Sequence, residues 1–267
     1  MQLLTPLVPD AGAPLARANP VAKLVAALAL LVALFASLDG VTALVVLGGL
    51  ACVLPVSGLS PRALLGRAWL VGLAAVSIGV ANVLFAPEQA GATVVALGPL
   101  RIGGETLVDG LGLAVRLVAI AAAGILATAT SQPTEIADSL IQQLHASHRF
   151  AIGTLAALRL VPLLAEEWQT IAMARRARGV DAGRSPVAAV RLFASQLMAL
   201  LVGAIRRGSR MALAMEGRGF GASDCRTAAR VERVRPTDLG WIIGAVVLAA
   251  GAVGVSVVLG TWRPLLS

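Results

Sequence analysis

Long apolar blocks, broken by short polar segments, set the pattern of this chain. Five blocks are each long enough to cross about 30 Å of hydrocarbon as a helix of roughly 20 residues. They lie at about 21–38, 41–59, 68–86, 107–129 and 239–259. The pattern therefore predicts an all-α polytopic membrane protein with about five transmembrane helices.

The segment between the fourth and fifth blocks has an amphipathic helical pattern instead. Ser131 before Pro133 is a helix start signal, and apolar residues then recur every four residues as far as Leu144. A second helix is predicted at about 152–178, and a third opens at Ser185-Pro186 and continues to about residue 218.

The third of these helices is uncharged at 192–205, which by hydropathy alone resembles a membrane span. If it crossed the membrane, its two equally basic flanks would face opposite sides. We therefore expect it to lie at or under the membrane with its apolar face toward the bilayer. The predicted parts of the chain are transmembrane helices 1 to 4 at 1–129, a cytoplasmic domain of amphipathic helices at 130–237, and a fifth transmembrane helix at 238–267.

Composition supports this class and excludes others. Apolar residues make up 58% of the 267 residues and charged residues 13%, against about a quarter charged in a typical soluble domain, so a water-soluble enzyme is excluded. Cys52 and Cys225 lie in unlike surroundings, which excludes a disulfide framework and a zinc site. Lys23, the single lysine, follows Ala22 and not a glycine, so the chain cannot be a Walker-type ATPase.

Positive charge is concentrated in one part of the chain. The net charge is +8, and 15 of the 22 basic residues lie within 130–237. The positive-inside rule then predicts a multi-pass plasma membrane protein with this segment and the N-terminus in the cytoplasm and the C-terminus outside. Arg263 disagrees with this orientation. Lys23, near one end of the first block, is expected to snorkel toward the interface.

A few polar residues have the types that catalysis or metal binding uses, but in weak patterns. His145 and His148 have ligand spacing on one predicted helix face but no third ligand nearby, which favours a solvated role. Glu166-Glu167 beside Arg159 indicates a solvated salt-bridge face. The basic segment lacks the interleaved aromatic residues of a nucleic-acid surface, so no nucleic-acid partner is expected.

Asp109 and Arg116 lie seven residues apart in the fourth block, and thus on one helix face. Charges inside a membrane are often functional. The sequence favours a structural role, in which the two residues pair with each other or brace neighbouring helices. The alternative is a self-contained carrier or channel whose pathway they line, and a membrane-embedded enzyme is a weaker third possibility.

Two helix ends in the amphipathic segment resemble each other. The first is Ala177-Arg178-Gly179 and the second is Glu216-Gly217-Arg218-Gly219, with the two arginines 40 residues apart. Arginine and glycine at a helix C-terminus are also ordinary caps, because a cation favours the helix dipole and glycine adopts the left-handed conformation. An arginine that projects from a helix end is equally suited to an acidic groove on a partner.

The pair of helix ends resembles the signature of the transmembrane T component of energy-coupling factor (ECF) transporters. Three further segments resemble that family: Asn19-Pro20-Val21-Ala22-Lys23-Leu24, residues 117–133, and Leu158-Arg159-Leu160-Val161-Pro162. The second copy departs from the usual Ala-Arg-Gly because Gly217 precedes Arg218. A glycine there is expected to weaken the last helical turn.

The resemblance implies a non-catalytic scaffold whose amphipathic helices are coupling helices. In that family each signature arginine inserts into a groove of one of two cytoplasmic ABC-type ATPase subunits. The same helices hold a small membrane S subunit that captures a vitamin or a transition metal ion. Arg178 and Arg218 would transmit the closure of the ATPases, with Glu216 orienting Arg218. No cofactor is expected in this chain, because ATP and magnesium would be bound by the partner subunits.

The methionines fit a surface that accepts more than one partner. Apart from Met1 they all fall in the two signature-bearing helices, at Met173, Met198, Met211 and Met215. Flexible thioether side chains suit such surfaces, and we expect these residues to contact the substrate-capture subunit. The alternative is ordinary gap-filling between helices.

Overall fold

The structure is a computed structural model that describes residues 12–59, 61–86, 92–97, 100–180, 183, 185–220 and 231–263. The chain divides into two compact units. The larger unit combines Met1–Ser139 with Glu232–Ser267, and the smaller unit is Leu140–Val231. These limits fall at 139/140 and 231/232, whereas the sequence placed the domain limits at 129/130 and 237/238.

Helices account for most of the described residues, which confirms the predicted all-α polytopic class. The larger unit contains α1 (Pro20–Ala36), α2 (Gly40–Val53, extended by a 3-10 turn at Leu54–Ser57), α3 (Pro61–Phe85), α4 (Gly104–Ala129) and α8 (Pro236–Val258). These five helices correspond to the five predicted blocks. Helix α5 (Pro133–Leu144) begins in the larger unit and ends in the smaller one, which also contains α6 (His148–Ala177) and α7 (Pro186–Gly217).

Within the described residues, four helices are long and apolar enough to cross a membrane. They are Gly40–Ser57, Gly104–Ala129, Pro186–Gly217 and Pro236–Val258, and α1 and the Trp69–Phe85 part of α3 are shorter apolar helices. Helix α7 thus meets the length and hydropathy criterion of a span, as its uncharged stretch indicated. Its basic flanks remain the reason to expect it at the membrane surface.

A short β-hairpin that the sequence pattern did not indicate precedes α4. Strands β1 (Thr93–Leu97) and β2 (Leu100–Gly103) pair antiparallel, with Leu97 opposite Leu100 and Thr93 opposite Gly103. The β-branched run at the start of β1 and the Gly98-Pro99 dipeptide are the signals that could have indicated it.

The core of the larger unit forms where α1, α2, α4 and α8 meet. Its most deeply buried side chains are small or branched, as helices that approach closely in a membrane require. They include Leu34, Ala43, Val46, Ala119 and Ala252. Gly40 and Gly112 bring α2 and α4 into backbone contact, because a Cβ on Gly40 would lie 3.0 Å from the Gly112 Cα.

Lys23 fixes one end of this helix cluster. The prediction that its side chain snorkels toward the interface is wrong. Its side chain is buried, and the ammonium donates to the Thr130 carbonyl at 2.9 Å, to the Ser131 hydroxyl at 3.1 Å and to the Ala16 carbonyl at 3.4 Å. A buried ammonium with three acceptors is well satisfied. Lys23 therefore joins the start of α1 to the end of α4.

The N-terminus of α1 is also joined to α8. The Asn19 side chain caps α1 by accepting from the Val21 N–H at 2.9 Å, and the Asn19 N–H donates to the buried carboxylate of Asp238 at 3.0 Å. Asp238 accepts a second bond from the Arg235 N–H at 2.7 Å, which caps α8. The Asn-Pro-x-x-Lys motif is therefore structural, because it holds three helix ends together.

A second polar cluster lies at the turn between α1 and α2. The Asp39 carboxylate accepts from the Thr42 N–H at 2.7 Å, from the Thr42 hydroxyl at 3.0 Å and from the Ser37 hydroxyl. Burial alone would raise the pKa of Asp39. The hydrogen bonds from Ser37, Thr42 and Ser256 outweigh it and hold that pKa below its usual value.

Candidate docking site at two helix ends

Helix α6 ends in a Schellman motif that presents Arg178. Arg178 is the C-cap residue, at φ −88° and ψ 6°, and Gly179 follows at φ 73°. The Val180 N–H donates to the Arg175 carbonyl at 3.0 Å, and the Gly179 N–H donates to the Arg176 carbonyl at 3.0 Å. The arginine side chain is exposed at the tip of the helix.

Helix α7 ends in the same motif. Arg218 is the C-cap residue, at φ −93° and ψ 11°, and Gly219 follows at φ 78°. The Phe220 N–H donates to the Met215 carbonyl at 3.0 Å, and the Gly219 N–H donates to the Glu216 carbonyl at 2.8 Å. Arg218 is exposed as Arg178 is.

The backbone at the two arginines is the same within 5° in both φ and ψ. Gly217 does not alter the geometry of the cap, and its expected weakening of the last turn of α7 stays a prediction. The helix continues through Gly217, because the Arg218 N–H and the two Schellman bonds close the turn through the backbone alone. Those bonds do not depend on the side chain at position 217.

The surroundings of the two arginines differ in charge. Arg175 and Arg176 precede Arg178, whereas Glu216 precedes Arg218. Beside Arg178 lies a groove of about 700 Å³ between the end of α6 and the start of α7, and its polar lining comes from Arg175, Arg178, Ser185, Arg191 and Ser195. The first end is therefore more strongly basic than the second.

The Arg175 side chain links α6 to α7. Its guanidinium donates to the Leu192 carbonyl at 3.3 Å, to the Ser195 carbonyl at 3.1 Å and to the Ser195 hydroxyl. Arg175 is thereby held by its own chain, while Arg178 projects from the tip. This difference separates a structural arginine from a candidate docking arginine three residues later.

Further along, α6 and α7 pack together through polar and aromatic contacts. The Gln196 amide donates to the Trp168 carbonyl at 3.1 Å, and the rings of Trp168 and Phe193 pack edge to face with centroids 5.3 Å apart. Arg207 forms an ion pair with Glu167, with 3.0 Å between Nη1 and Oε2. The acidic pair at 166–167 was predicted to form a solvated salt-bridge face beside Arg159, and Glu167 instead pairs across to the other helix.

The four methionines of these helices divide into two kinds. Met173 and Met198 are 59% and 61% exposed, so they do not belong to the buried core. Met211 and Met215 are half-buried. All four lie on the two helices that carry the arginines, and their contact with a capture subunit stays a prediction.

The two charges of α4 do not pair with each other. Both carboxylate oxygens of Asp109 accept from Arg263, at 3.1 and 3.2 Å, in an exposed pair. Arg116 is buried, and its guanidinium carbon lies 5.6 Å from the centroid of the Phe35 ring on α1. Self-pairing was one of two structural expectations and is wrong, while the bracing of neighbouring helices is what Arg116 does.

The two histidines of the H-x-x-H pair were predicted to share a helix face, and that prediction is wrong. His145 lies between helices at φ 53°, and His148 is the first residue of α6. Both are exposed. Within the part of the chain that the structure describes, no group of three or more His, Cys, Asp or Glu side chains could hold a metal ion.

Comparison with known proteins places this geometry in a family. The sequence profile of the CbiQ family, described as a cobalt transport protein, matches residues 11–228. The chain belongs to the CbiQ family. The CbiQ match includes both arginine ends, and with the relatives it confirms the resemblance to the T component of ECF transporters.

Three relatives of this CbiQ-family chain are each named energy-coupling factor transporter transmembrane protein EcfT. That of Heliobacterium modesticaldum is 34% identical over 181 residues, which are 65% of this chain and 65% of the relative. Those of Thermosediminibacter oceani and Bacillus subtilis are 31% and 32% identical over 61% and 60% of this chain. The matched segments span 64% and 63% of those two proteins, so each match covers slightly less than two thirds of the relative.

Proposed function

We propose that this protein is the transmembrane coupling subunit of an ATP-driven ECF-type importer. It links two cytoplasmic ABC-type ATPase subunits to one substrate-capture membrane subunit and has no catalytic site of its own. The observation that carries the proposal is the pair of Schellman caps, which present Arg178 and Arg218 in the same backbone geometry at the ends of two helices that pack together.

The cap geometry suits the transmission of a mechanical signal. Because a Schellman motif satisfies the last carbonyls of the helix, the backbone that bears each arginine is fixed to the helix end. A guanidinium forms a two-pronged, charge-assisted contact with a carboxylate, which resists tilting better than a single point charge does. Closure of two ATPase subunits would then move the two helix ends and not only the two side chains.

The capture subunit would lie against the exposed apolar side chains of α6 and α7. Val190, Phe193, Leu197 and Leu201 are each between 48% and 68% exposed on α7, and Met173 and Met198 extend this surface. Apolar exposure on this scale marks a surface that a protein or membrane partner covers. The bilayer would cover the remainder, with α7 at the membrane surface.

The substrate would be a vitamin or a transition metal ion, and the capture subunit would select it. ATP and magnesium would be bound by the ATPase subunits. The chain would lie in the plasma membrane with its N-terminus and coupling helices in the cytoplasm and its C-terminus outside. The basic residues concentrated in 130–237 support that orientation.

Co-purification tests the proposal. We expect Arg178→Glu or Arg218→Glu to weaken, and the double variant to abolish, recovery of ATPase subunits from mild detergent, because each substitution places a carboxylate against an acidic groove. Arg210→Glu, the same charge change at an exposed position of α7, is the matched control and should leave recovery unchanged.

Two outcomes would overturn the coupling role. One is full recovery of ATPase subunits with the double variant. The other is substrate transport by the purified chain in liposomes without any ATPase, stopped by Asp109→Asn. That result would instead establish the self-contained carrier.

A further inference from the structure

The ion pair between α6 and α7 has the same sequence separation as the two candidate docking arginines. Glu167 and Arg207 are 40 residues apart, as Arg178 and Arg218 are. Each member of the pair therefore precedes its arginine by 11 residues. A path that runs from Arg178 back along α6 to Glu167, across the ion pair to Arg207 and on along α7 to Arg218 has the ion pair at its midpoint.

Eleven residues are about three turns of an α-helix, so each arm is about 16 Å long. The same spacing returns a residue to within about 20° of its starting face. Glu167 and Arg178 thus share a face of α6, and Arg207 and Arg218 share a face of α7. Two helical stretches of equal length lead from this ion pair to the two caps, and the α6 stretch is also held to α7 by Arg175.

The backbone is open where the pair forms. Gly203 faces Glu167 from α7, and a Cβ at that position would lie 3.0 Å from Glu167 Oε1. The carboxylate can therefore lie close to the α7 backbone beside Arg207. Gln196, the buried residue of α7, donates to the Trp168 carbonyl next to Glu167 and adds a second directional contact.

We propose that the Glu167–Arg207 ion pair is the pivot at which the coupling helices cross, and that it positions Arg178 and Arg218 at the spacing the ATPase subunits require. This proposal rests on the proposed function. Glu167 and Arg207 are positioning residues: they act through the two caps and do not touch the ATPases.

The lengths of the arms make the crossing angle decisive. For a stretch of about 16 Å, a rotation of about 20° about the ion pair displaces its cap by about 6 Å. The Glu167–Arg207 ion pair and the separate hydrogen bond from Gln196 to the Trp168 carbonyl are both directional, so together they favour one angle between the helices. The side chains of the pair are 32% and 30% exposed, and a partner subunit on this face would shield them further and strengthen the contact.

Charge reversal and charge exchange test the pivot in the full complex. We expect Glu167→Arg and Arg207→Glu each to lower substrate transported per ATP hydrolysed by about fivefold, since like charges would force the helices apart. The double variant that carries both Glu167→Arg and Arg207→Glu should recover at least half of the original amount of substrate transported per ATP hydrolysed. Glu166→Arg and Arg206→Glu are exposed neighbours on the same helices, and as matched controls they should leave the ratio unchanged.

A distance measurement reports the angle directly. Spin labels on Ala174→Cys and Ala214→Cys, with Cys52 and Cys225 replaced by serine, lie four residues before each arginine. We expect one narrow distance distribution in the unmodified complex. Each single reversal should shift or broaden it by several ångströms, and the exchange should restore it.

The outcomes separate the pivot from the coupling role. If no ATPase subunit co-purifies with the unmodified chain, the proposed function fails, and the pivot fails with it. If ATPases co-purify but the reversals leave the transport ratio and the label distance unchanged, the pivot alone is wrong. It is also wrong if the exchange restores neither quantity, because the two charges would then not act on each other.

Discussion

Two residues decide the direction in which each candidate docking arginine points. Gly179 and Gly219 adopt φ values of 73° and 78°, a backbone conformation that residues with a Cβ rarely adopt. Their N–H groups close the inner bond of each Schellman motif. The arginine before each glycine is thus fixed through the residue that follows it.

Alanine at these two positions should loosen the caps. We expect Gly179→Ala or Gly219→Ala to cost about 1–2 kcal/mol locally, because a Cβ disfavours positive φ. Hydrogen exchange at the Val180 and Phe220 amides should accelerate by about tenfold, and recovery of ATPase subunits should fall with it.

Gly217→Ala is the matched control, because Gly217 is helical and a Cβ there would meet nothing within 4 Å. It should slow exchange at the Phe220 amide or leave it unchanged, since alanine favours a helix over glycine by roughly 0.5–1 kcal/mol. Equal acceleration in all three variants would contradict a specific need for left-handed caps.

At the scale of elements, close backbone contact explains how α3 is held to α4. A Cβ on Gly79 would lie 2.8 Å from the Gly110 carbonyl oxygen, and a Cβ on Gly110 would lie 2.4 Å from a Val83 methyl. Helices in a membrane gain little from apolar burial against apolar lipid, so their association depends on such fits.

A larger side chain should separate these two helices. We expect Gly110→Val to lower the stability of the larger unit by about 1–3 kcal/mol through overpacking, measured as a lower thermal unfolding temperature in detergent. Gly124→Val places the same side chain on the same helix where nothing lies within 4 Å, and it should have little effect. Equal losses in the two variants would mean that helix propensity and not the fit determines the cost.

The sequence predicted the helices well because length and polarity determine them. Blocks such as 107–129, and starts such as Ser185-Pro186, combine a long apolar run with a capping signal, and the structure places helices there within a few residues. The arginine ends were located for the same reason, since glycine after a helix is a strong local signal.

Contacts between distant segments were not predictable in the same way. Arg263 pairs with Asp109 across 154 residues, and Glu167 pairs with Arg207 across 40. Helix periodicity indicates which face a charge occupies but not which helix lies opposite that face. Self-pairing of Asp109 and Arg116 was a local expectation, and it was wrong because the partners come from other helices.

For the whole molecule, charge placement predicts orientation. In a background without Cys52 and Cys225, we expect a membrane-impermeant maleimide to label Trp262→Cys in intact cells. It should label Val187→Cys and Leu213→Cys only in inverted vesicles, because the positive-inside rule places the basic segment in the cytoplasm. These three positions are exposed in the structure.

The two cysteines on α7 also test whether that helix crosses the membrane. Labelling of Val187→Cys and Leu213→Cys from opposite sides would show that it does, and the surface location of α7 would then be wrong. If all three positions were labelled from the side opposite to the expected one, the true orientation of the chain would be the reverse of the predicted one. A cysteine that remains unlabelled in both preparations can be checked after detergent treatment, which exposes either side.

The bonds of Lys23 and Asn19 have a consequence for how the protein is made. Lys23 reaches a carbonyl 107 residues later, and the Asn19 amide reaches a carboxylate 219 residues later. During synthesis, Lys23 therefore has no Thr130 carbonyl to bind until α4 has left the ribosome, and Asn19 has no Asp238 carboxylate until the start of α8 has left it. Helices α6 and α7 are synthesised while the larger unit still lacks α8. A chain that ends before residue 232 lacks Asp238 and α8, so the Asn19 N–H at the start of α1 loses its carboxylate acceptor.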